Sequence, residues 1–294
     1  MALARGDVDR STIRRNDPAW VAAVWADPRA RVLVLERGKA RVRPRGDGAA
    51  LDLVPPAAAP AGLRFLLGVD EAGAAYFGVV PDRPVPDGGQ RVGLREAGPL
   101  LDDRDAGLFT HAVALANWHA SHTHCPRCGA PTRPLPAGHA RVCTADGSEH
   151  FPRTDPAVIM LVTDDRDRCL LAHNRRWPQR RVSILAGFVE PGESAEHAVI
   201  REVAEETGIT VTDVHYVGSQ PWPMPQSLML GYRARAASGQ QISVDRDEIA
   251  EAQWFSRGEL RDAIAAGELL LPPPVSIAHR IIEAWYGEPL PRAW

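Results

Sequence analysis

Residues 185–209 constrain this chain more than any other stretch. They read Leu-Ala-Gly-Phe-Val-Glu-Pro-Gly-Glu-Ser-Ala-Glu-His-Ala-Val-Ile-Arg-Glu-Val-Ala-Glu-Glu-Thr-Gly-Ile. Gly187, Pro191 and Gly192 call for a tight loop. Ser194 is a good helix N-cap and Gly208 a good left-handed stop, so the spacing predicts a helix of about 13 residues between them. Ala195, Ala198, Val199 and Val203 fall on its buried stripe. Glu202 and Glu206 stand four residues apart on one face, with Glu205 beside them. Like charges at this spacing cost a helix ~0.2–0.5 kcal/mol per pair. Arg201 can offset Glu205 at i+4; the rest stay uncompensated unless a cation sits among them. Convergent carboxylates suit a hard divalent ion such as Mg²⁺ or Mn²⁺. Such ions polarise phosphoryl oxygens and activate water.

Around this helix the 294 residues, 45% hydrophobic and 24% charged, describe a globular chain of one large or two ordinary domains. No apolar run approaches the ~18–20 residues of a membrane span. Met1–Arg10 has no apolar signal region, so a cytoplasmic protein is expected. A net charge of −3 does not suit tracking a long polynucleotide through bulk charge, although a local basic groove stays open.

The first ~100 residues read as short strands at 31–35, 63–69 and 74–80. Pro-rich breaks at 54–60 and 81–89 separate them, and 20–25 suits a short helix. No catalytic pattern occurs there, which leaves a scaffold or dimerisation role. A longer helix is predicted from Asp102 to about Ser121, with Leu108, Ala112, Leu115, Ala116 and His119 on its buried stripe. His111, Trp118 and His119 read as packing groups. A buried strand at 155–162 is expected to pair with 168–172 across the turn 164–167, followed by alternating strand, loop and helix. The division expected is an N-terminal mixed α+β domain over 1–120, a compact segment over 121–152 and a third domain over 153–290.

The acidic helix and its loop match the Nudix box, Gly-x5-Glu-x7-Arg-Glu-apolar-x-Glu-Glu-x-Gly-apolar, through nine specified positions in 23 residues, Gly187 to Ile209. The chain resembles Nudix hydrolases, which cleave a nucleoside diphosphate linked to another moiety. The resemblance implies an α/β/α sandwich around a mixed sheet and a loop–helix–loop metal site. It makes Glu202 and Glu206 the principal metal ligands and Glu205 a further ligand or the group that orients and deprotonates water. It gives Ala186 a backbone carbonyl ligand and Glu193 and Arg201 a structural pairing. Glu248 matches the distal carboxylate of the site, with Glu251 as second choice.

The substrate is read downstream, in Ser219-Gln-Pro-Trp-Pro-Met-Pro-Gln-Ser227. Pro221, Pro223 and Pro225 make a rigid loop that fixes Trp222, a ring suited to shaping a base pocket. Gln220, Gln226 and Ser227 offer hydrogen bonds to ribose, phosphate or amide groups. The string resembles the pattern of the NAD(H) pyrophosphatase branch of the Nudix hydrolases, departing only in Met224 for Phe. A flexible thioether softens the pocket wall there. By the same resemblance Phe188 stacks on the base, and Ala278, closing Leu271-Pro-Pro-Pro-Val-Ser-Ile-Ala278, lies at the pocket. Phe151 joins this substrate set.

Three of the four cysteines, Cys125, Cys128 and Cys143, fall within 19 residues, and Cys125-Pro-Arg-Cys128 is a zinc knuckle by spacing. Cys169 sits in an apolar run and reads as a core thiol. The branch carries two Cys pairs around one structural Zn²⁺; here Asp146 stands where the fourth Cys would fall. Asp146, Glu149, His150 and His139 are all candidates for the fourth ligand, with Asp146 and His150 foremost, and loss of the metal is the alternative. His122 and His124 read as surface or packing residues.

Taken together, the resemblance implies Mg²⁺- or Mn²⁺-dependent hydrolysis of NAD(H) to NMN(H) and AMP. It extends to removal of an NAD cap from RNA 5′ ends and to a homodimer. Two other readings fit the same residues: a broader hydrolase of ADP-ribose and other dinucleotides, and a catalytically silent NAD sensor.

Overall fold

The computed structural model describes residues 1–86 and 89–290. Asp87 and Gly88, in the second Pro-rich break, lie outside the described residues. The chain forms two units. One comprises Leu3–Thr154 together with Pro221–Gln226; the other comprises Met1–Ala2, Asp155–Gln220 and the chain from Ser227 onward.

In the first unit, α1 (Pro18–Ala26) begins where Asp17 accepts from the Ala19 N–H and Pro18 opens the first turn. Then come β1 (Arg31–Val34), β2 (Lys39–Arg45) and β3 (Gly48–Leu51). They are followed by β4 (Gly62–Val69), β5 (Ala75–Pro81) and β6 (Arg91–Gly93). A single turn, α2 (Leu94–Ala97), leads to α3 (Asp103–Ser121), whose N-cap Asp102 accepts from Asp105 N–H. The sheets run β1-β5-β4 and β3-β2-β6. The three strands and two helices expected from the sequence are present. β2 was not legible, because Lys-Ala-Arg-Val-Arg-Pro-Arg lacks the β-branched and aromatic content of an ordinary strand. Val21, Val32, Leu66, Phe77 and Val79 form the core, and Trp25 meets Phe77 edge-on at 5.0 Å. The unit ends in β7 (Thr132–Pro134), β8 (Arg141–Cys143) and β9 (Glu149–His150), a small sheet in that order.

Three histidines are packing groups here. His119 accepts from Arg141 Nη1 (2.9 Å) at Nδ1, so its Nε2 carries the proton and donates to Gly138 O (2.8 Å). His139 Nε2 meets Leu66 O at 2.7 Å, and His111 Nδ1 meets Leu67 O at 3.2 Å.

In the second unit, β10 (Asp155–Thr163) is central. Val158, Met160 and Val162 face one layer, with Ala198, Val199 and Val203. Ile159 and Leu161 face the other, with Leu260, Ile264, Ile281 and Ile282. A strand apolar on both faces needs helices on both, which makes the α/β/α sandwich. The remaining elements are β11 (Cys169–Asn174), β12 (Leu185–Phe188), α4 (Ala195–Thr207), β13 (Val211–Trp222) and β14 (Ser227–Ala236), then β15 (Ile249–Phe255), α5 (Arg257–Ala265) and α6 (Ile277–Tyr286). The mixed sheet runs β13-β14-β10-β11-β15, with β10 parallel to β14 and antiparallel to β12. The expected β10–β11 hairpin narrows to one pair, Thr163↔Cys169, because β11 pairs along its length with β15 and β12 lies along β10. Cys169 is fully buried in the core, and burial pushes its thiol up to about 12.

Burial lowers His111 to about 3 and His119 and His139 to about 4, with Arg10, Arg141 and Arg15 adding repulsion. A histidine that titrates lower folded than unfolded supports the fold above its ordinary value near 6.5 and loses that support as pH falls. Acidification from pH 6.5 to 4 is therefore expected to remove on the order of a few kcal/mol of stability. His139→Gln, which can keep the donor to Leu66 O, should flatten this slope in urea titrations followed by circular dichroism.

Candidate active site and metal centre

The helix α4 is set by its ends. Ser194 Oγ accepts from His197 N–H (3.2 Å), a cap worth ~1 kcal/mol, and Gly208 takes the left-handed conformation at φ 69°. The 13 residues between match the predicted length. Arg201 then gathers the acidic groups. Its Nε and Nη2 form a fork on Glu193 (2.8 Å each), its Nη1 donates to Glu202 (2.8 Å) and Glu205 (2.9 Å), and its Nη2 also donates to Phe188 O (2.9 Å). This environment pulls Glu193 down to about 2. Gly187 lies against the Glu202 carboxylate so closely that a Cβ there would fall on it.

Glu206 is outside the reach of Arg201. It is 6% exposed, and its Oε2 has no hydrogen-bond partner. Burial, then the charges of Glu202, Glu248 and Glu205, push it up to about 8. Burial also raises Glu202, against the pull of Arg201. An orphaned, buried carboxylate oxygen among three other carboxylates fits a hard divalent cation. Glu248 arrives by a route the helix alone does not reveal. Ser243 N–H and Asp245 N–H donate to Thr207 O and Glu206 O, carbonyls that the helix end leaves open, and Glu248 N–H donates to Asp245 O. Glu251 lies on β15 opposite His173 and is not among the charges acting on Glu206. Ala186 lies on β12 opposite Ile159, next to Gly187.

The substrate string divides. β13, at the sheet edge, continues through Pro221 and Trp222, so only Pro223–Gln226 forms a turn. An edge position tolerates Pro221. Gln220 corrects the expectation of a substrate hydrogen bond: it is fully buried, and its Nε2 donates to Val275 O (2.8 Å). Ala278 is likewise packed in the core, in the first turn of α6, with a side chain 1% exposed. Phe188 and Phe151 are large exposed rings, each in its own unit. Ser227 opens β14 opposite Asp155, and Gln226 precedes it.

Two residues holding the turn were missed by sequence reading. Asn117 Nδ2, on α3, donates to Pro223 O (2.8 Å) and Pro225 O (3.1 Å). Arg95, on α2, donates through Nε to Met224 Sδ (3.0 Å), with its guanidinium carbon 5.4 Å from the centre of the Trp222 ring. Both lie more than 100 residues upstream, and neither belongs to a local pattern.

The cysteine cluster closes on Asp146. One donor atom from each of Cys125, Cys128, Cys143 and Asp146 lies within 4.8 Å of the others. Ser148 donates to Asp146 Oδ1 through both N–H (2.9 Å) and Oγ (2.6 Å), aiming the carboxylate and holding it well below the usual range. Three thiolates and one carboxylate fit tetrahedral zinc. The other candidates fall outside this cluster: His150 contacts Ser148 Oγ, His139 is held by Leu66 O, and Glu149 is exposed on β9.

The comparisons with known proteins agree with this geometry. Residues 153–271 match the NUDIX domain, 120–151 the NADH pyrophosphatase zinc ribbon domain and 20–118 the NADH pyrophosphatase-like rudimentary NUDIX domain. The chain is 43% identical over 306 aligned residues to a Mycobacterium tuberculosis protein named NAD-capped RNA hydrolase NudC, covering 96% of this chain and 94% of that one. The chain belongs to the Nudix family. It falls with the NADH pyrophosphatase members, whose zinc ribbon and rudimentary domain it shares. The human protein named NAD-capped RNA hydrolase NUDT12 is 40% identical over 197 residues, 63% of this chain and 42% of that one. A crystal structure titled NUDIX hydrolase from Nitrosomonas europaea covers 58% of this chain and 96% of its own at TM-score 0.45 and 18% identity. The rudimentary Nudix domain was read only as a scaffold, since it lacks the Glu-rich helix by which the other Nudix domain is legible. Among the described residues no helix is long and apolar enough to cross a membrane.

Two outcomes follow from this geometry. Glu206 titrates higher in the metal-free fold than its ordinary value of 4.5, so its contribution is intact below pH 4.5 and lost as pH rises through 8. Metal-free Glu206→Gln should therefore melt above wild type by a margin that widens from pH 5 to 8.5. Mg²⁺ should raise the wild-type Tm and not that of the variant in differential scanning fluorimetry. In the ribbon, Ser148→Ala should weaken zinc retention ~10-fold, as loss of a ligand-orienting hydrogen bond commonly does. Asp146→Ala should weaken it further, both read by chelator competition.

Proposed function

We propose that the chain hydrolyses the pyrophosphate of NAD(H) to NMN(H) and AMP, and removes the NAD cap from RNA 5′ ends. The observation that carries the chemistry is the buried Glu206 Oε2 without a partner, beside Glu202 and Glu248. The Ser219–Ser227 string and the relatives named NAD-capped RNA hydrolases support the substrate.

Glu202, Glu206, Glu248 and the Ala186 carbonyl would hold Mg²⁺ or Mn²⁺. Such an ion neutralises charge on the phosphoryl oxygens as it develops. Glu205, fixed by Arg201 and 60% exposed in its side chain, orients the attacking water and accepts its proton. The water oxygen attacks one phosphorus in line, and the bridging oxygen leaves with the other nucleotide as its phosphate. By the resemblance, Phe188 stacks on a base of the substrate, and Phe151, Pro221, Trp222, the turn Pro223–Gln226 and Ser227 belong to the substrate set. Zinc held by Cys125, Cys128, Cys143 and Asp146 is structural, since four protein ligands leave no open position. In this reading 1–120 is the scaffold and dimerisation segment, 121–152 the zinc segment and 153–290 the catalytic domain. The resemblance also supports a cytoplasmic homodimer; light scattering on the purified chain tests the dimer.

The deciding experiment incubates the protein with NADH and Mg²⁺ or Mn²⁺ and resolves products by liquid chromatography. AMP and NMNH are expected from wild type, with the rate at least ~10²-fold lower in Glu206→Gln. Intact NADH with both ions in a folded protein overturns the substrate assignment; equal rates in the two proteins overturn the metal helix.

A further inference from the structure

We propose that Cys128 and Cys143 are a peroxide-sensitive thiol pair, which closes into a disulfide and releases the ribbon's zinc. This rests on the zinc reading of the cysteine cluster above. The four donors of that cluster are not equivalent. Cys125 and Cys143 are buried, whereas Cys128 and Asp146 are exposed, so the site has one open edge and a single sulfur stands on it. The Cys128 and Cys143 sulfurs are 3.5 Å apart, and every residue concerned lies in the first unit. A disulfide brings its sulfurs to ~2.05 Å, so closing the pair takes a movement of ~1.5 Å.

Hydrogen bonding singles out the same sulfur. Arg127 N–H donates to Cys125 Sγ (3.4 Å), and Ala145 N–H (3.4 Å) and Asp146 N–H (3.5 Å) donate to Cys143 Sγ. Among the described residues no backbone N–H donates to Cys128 Sγ, whose contact is the Cys143 sulfur. Hydrogen bonds stabilise a thiolate and weaken it as a nucleophile, so Cys128 keeps the most reactive sulfur of the three. Arg127, exposed and next in the chain, adds the positive charge that favours a reactive thiolate. Cys169 is the contrast: it is fully buried in the core of the other unit, out of reach of a dissolved oxidant.

Hydrogen peroxide is the oxidant. The Cys128 thiolate attacks one peroxide oxygen; the O–O bond breaks, Cys128 becomes a sulfenic acid and hydroxide leaves. The Cys143 thiolate then attacks the Cys128 sulfur; the S–S bond forms and a second hydroxide leaves. Two electrons pass from the sulfurs to the peroxide, and two solvent protons turn both hydroxides into water. Thiolates bind zinc and disulfide sulfurs do not, so Cys125 and Asp146 are left as two ligands of a four-ligand site. Asp146 offers no second thiol, so the reaction ends with one bond and Cys125 still reduced. That bond joins the Cys125–Cys128 segment to the Cys143–Asp146 segment, as the metal does. One cross-link replaces another, and reduction restores the site.

The test uses the full chain, reduced and loaded with zinc, and treats it with hydrogen peroxide. Zinc release is read with a chromogenic chelator, free thiols by alkylation after unfolding, and the bond by non-reducing peptide mass spectrometry. Trypsin cleaves after Arg127 and Arg141, which puts Cys125, Cys128 and Cys143 in separate peptides. The expected result is release of the zinc in step with the loss of two of the four thiols, a Cys128–Cys143 bond, and Cys125 and Cys169 still open to alkylation. Dimedone added with the peroxide should label Cys128 ahead of Cys143. Dithiothreitol and fresh zinc should restore the starting state. Zinc and thiols that persist at peroxide levels sufficient to oxidise free glutathione overturn the proposal. So do zinc loss with all thiols intact, a bond through Cys125, and oxidation of Cys128 to a sulfinic acid without a bond. A Cys128–Cys143 bond in a chain that takes up no zinc when reduced keeps the thiol pair and overturns the zinc reading instead.

Discussion

One guanidinium organises the acidic helix. Arg201 holds Glu193, Glu202, Glu205 and the Phe188 carbonyl at once, and so ties the loop before α4 to the face of the helix itself. Without it, carboxylates one, three and four residues apart would repel one another and the loop would have no anchor. Arg201 does not satisfy Glu206. That carboxylate is buried one turn further along, beside Glu248, in surroundings that leave its charge uncompensated. The helix therefore divides its acids into those that Arg201 neutralises and one, Glu206, left without a counter-charge. Gly187 completes the arrangement by yielding the space that the Glu202 carboxylate fills.

The parts of this site that were legible in the sequence are those whose physics is local. Ser194 and Gly208 act within one turn of the helix, so its bounds could be read to the residue. The pairing of Arg201 with Glu193 was implied by the family resemblance, and the structure shows it. Asp146 was one of several open candidates, and Ser148, two residues away, is what aims it. Other parts depend on chain segments far apart. Asn117 and Arg95 reach the turn from more than 100 residues upstream, and no periodicity signals a side-chain amide that will meet two proline carbonyls. Gln220 shows the opposite difficulty. A polar residue in a functional string reads as a ligand contact, yet its amide satisfies a buried backbone carbonyl.

The first unit carried the weakest signal. Its family match is to the NADH pyrophosphatase-like rudimentary NUDIX domain, while the carboxylates lie in the residues that match the NUDIX domain. In β2 the alternation is present, but between basic and small residues, and the ordinary apolar–polar code for a strand does not detect it. The histidines of this unit also show burial turning a titratable group into a fixed donor. His119 and Arg141 form a neutral–charged pair deep between α3 and β8, with Thr132 sharing the guanidinium.

The turn at Pro223–Gln226 has a consequence for how this chain can be divided. Prolines contribute carbonyls and no N–H groups, so a turn rich in them cannot close its own hydrogen-bond network. Asn117 supplies the missing donors from α3, and the turn accordingly belongs with the first unit although it lies in the middle of the second unit's sequence. A fragment beginning at Asp155 would keep every carboxylate of α4 and lose the donor that holds the turn. The acidic helix thus draws its partners from nearby in the chain, whereas the shape of the proline turn depends on residues far upstream.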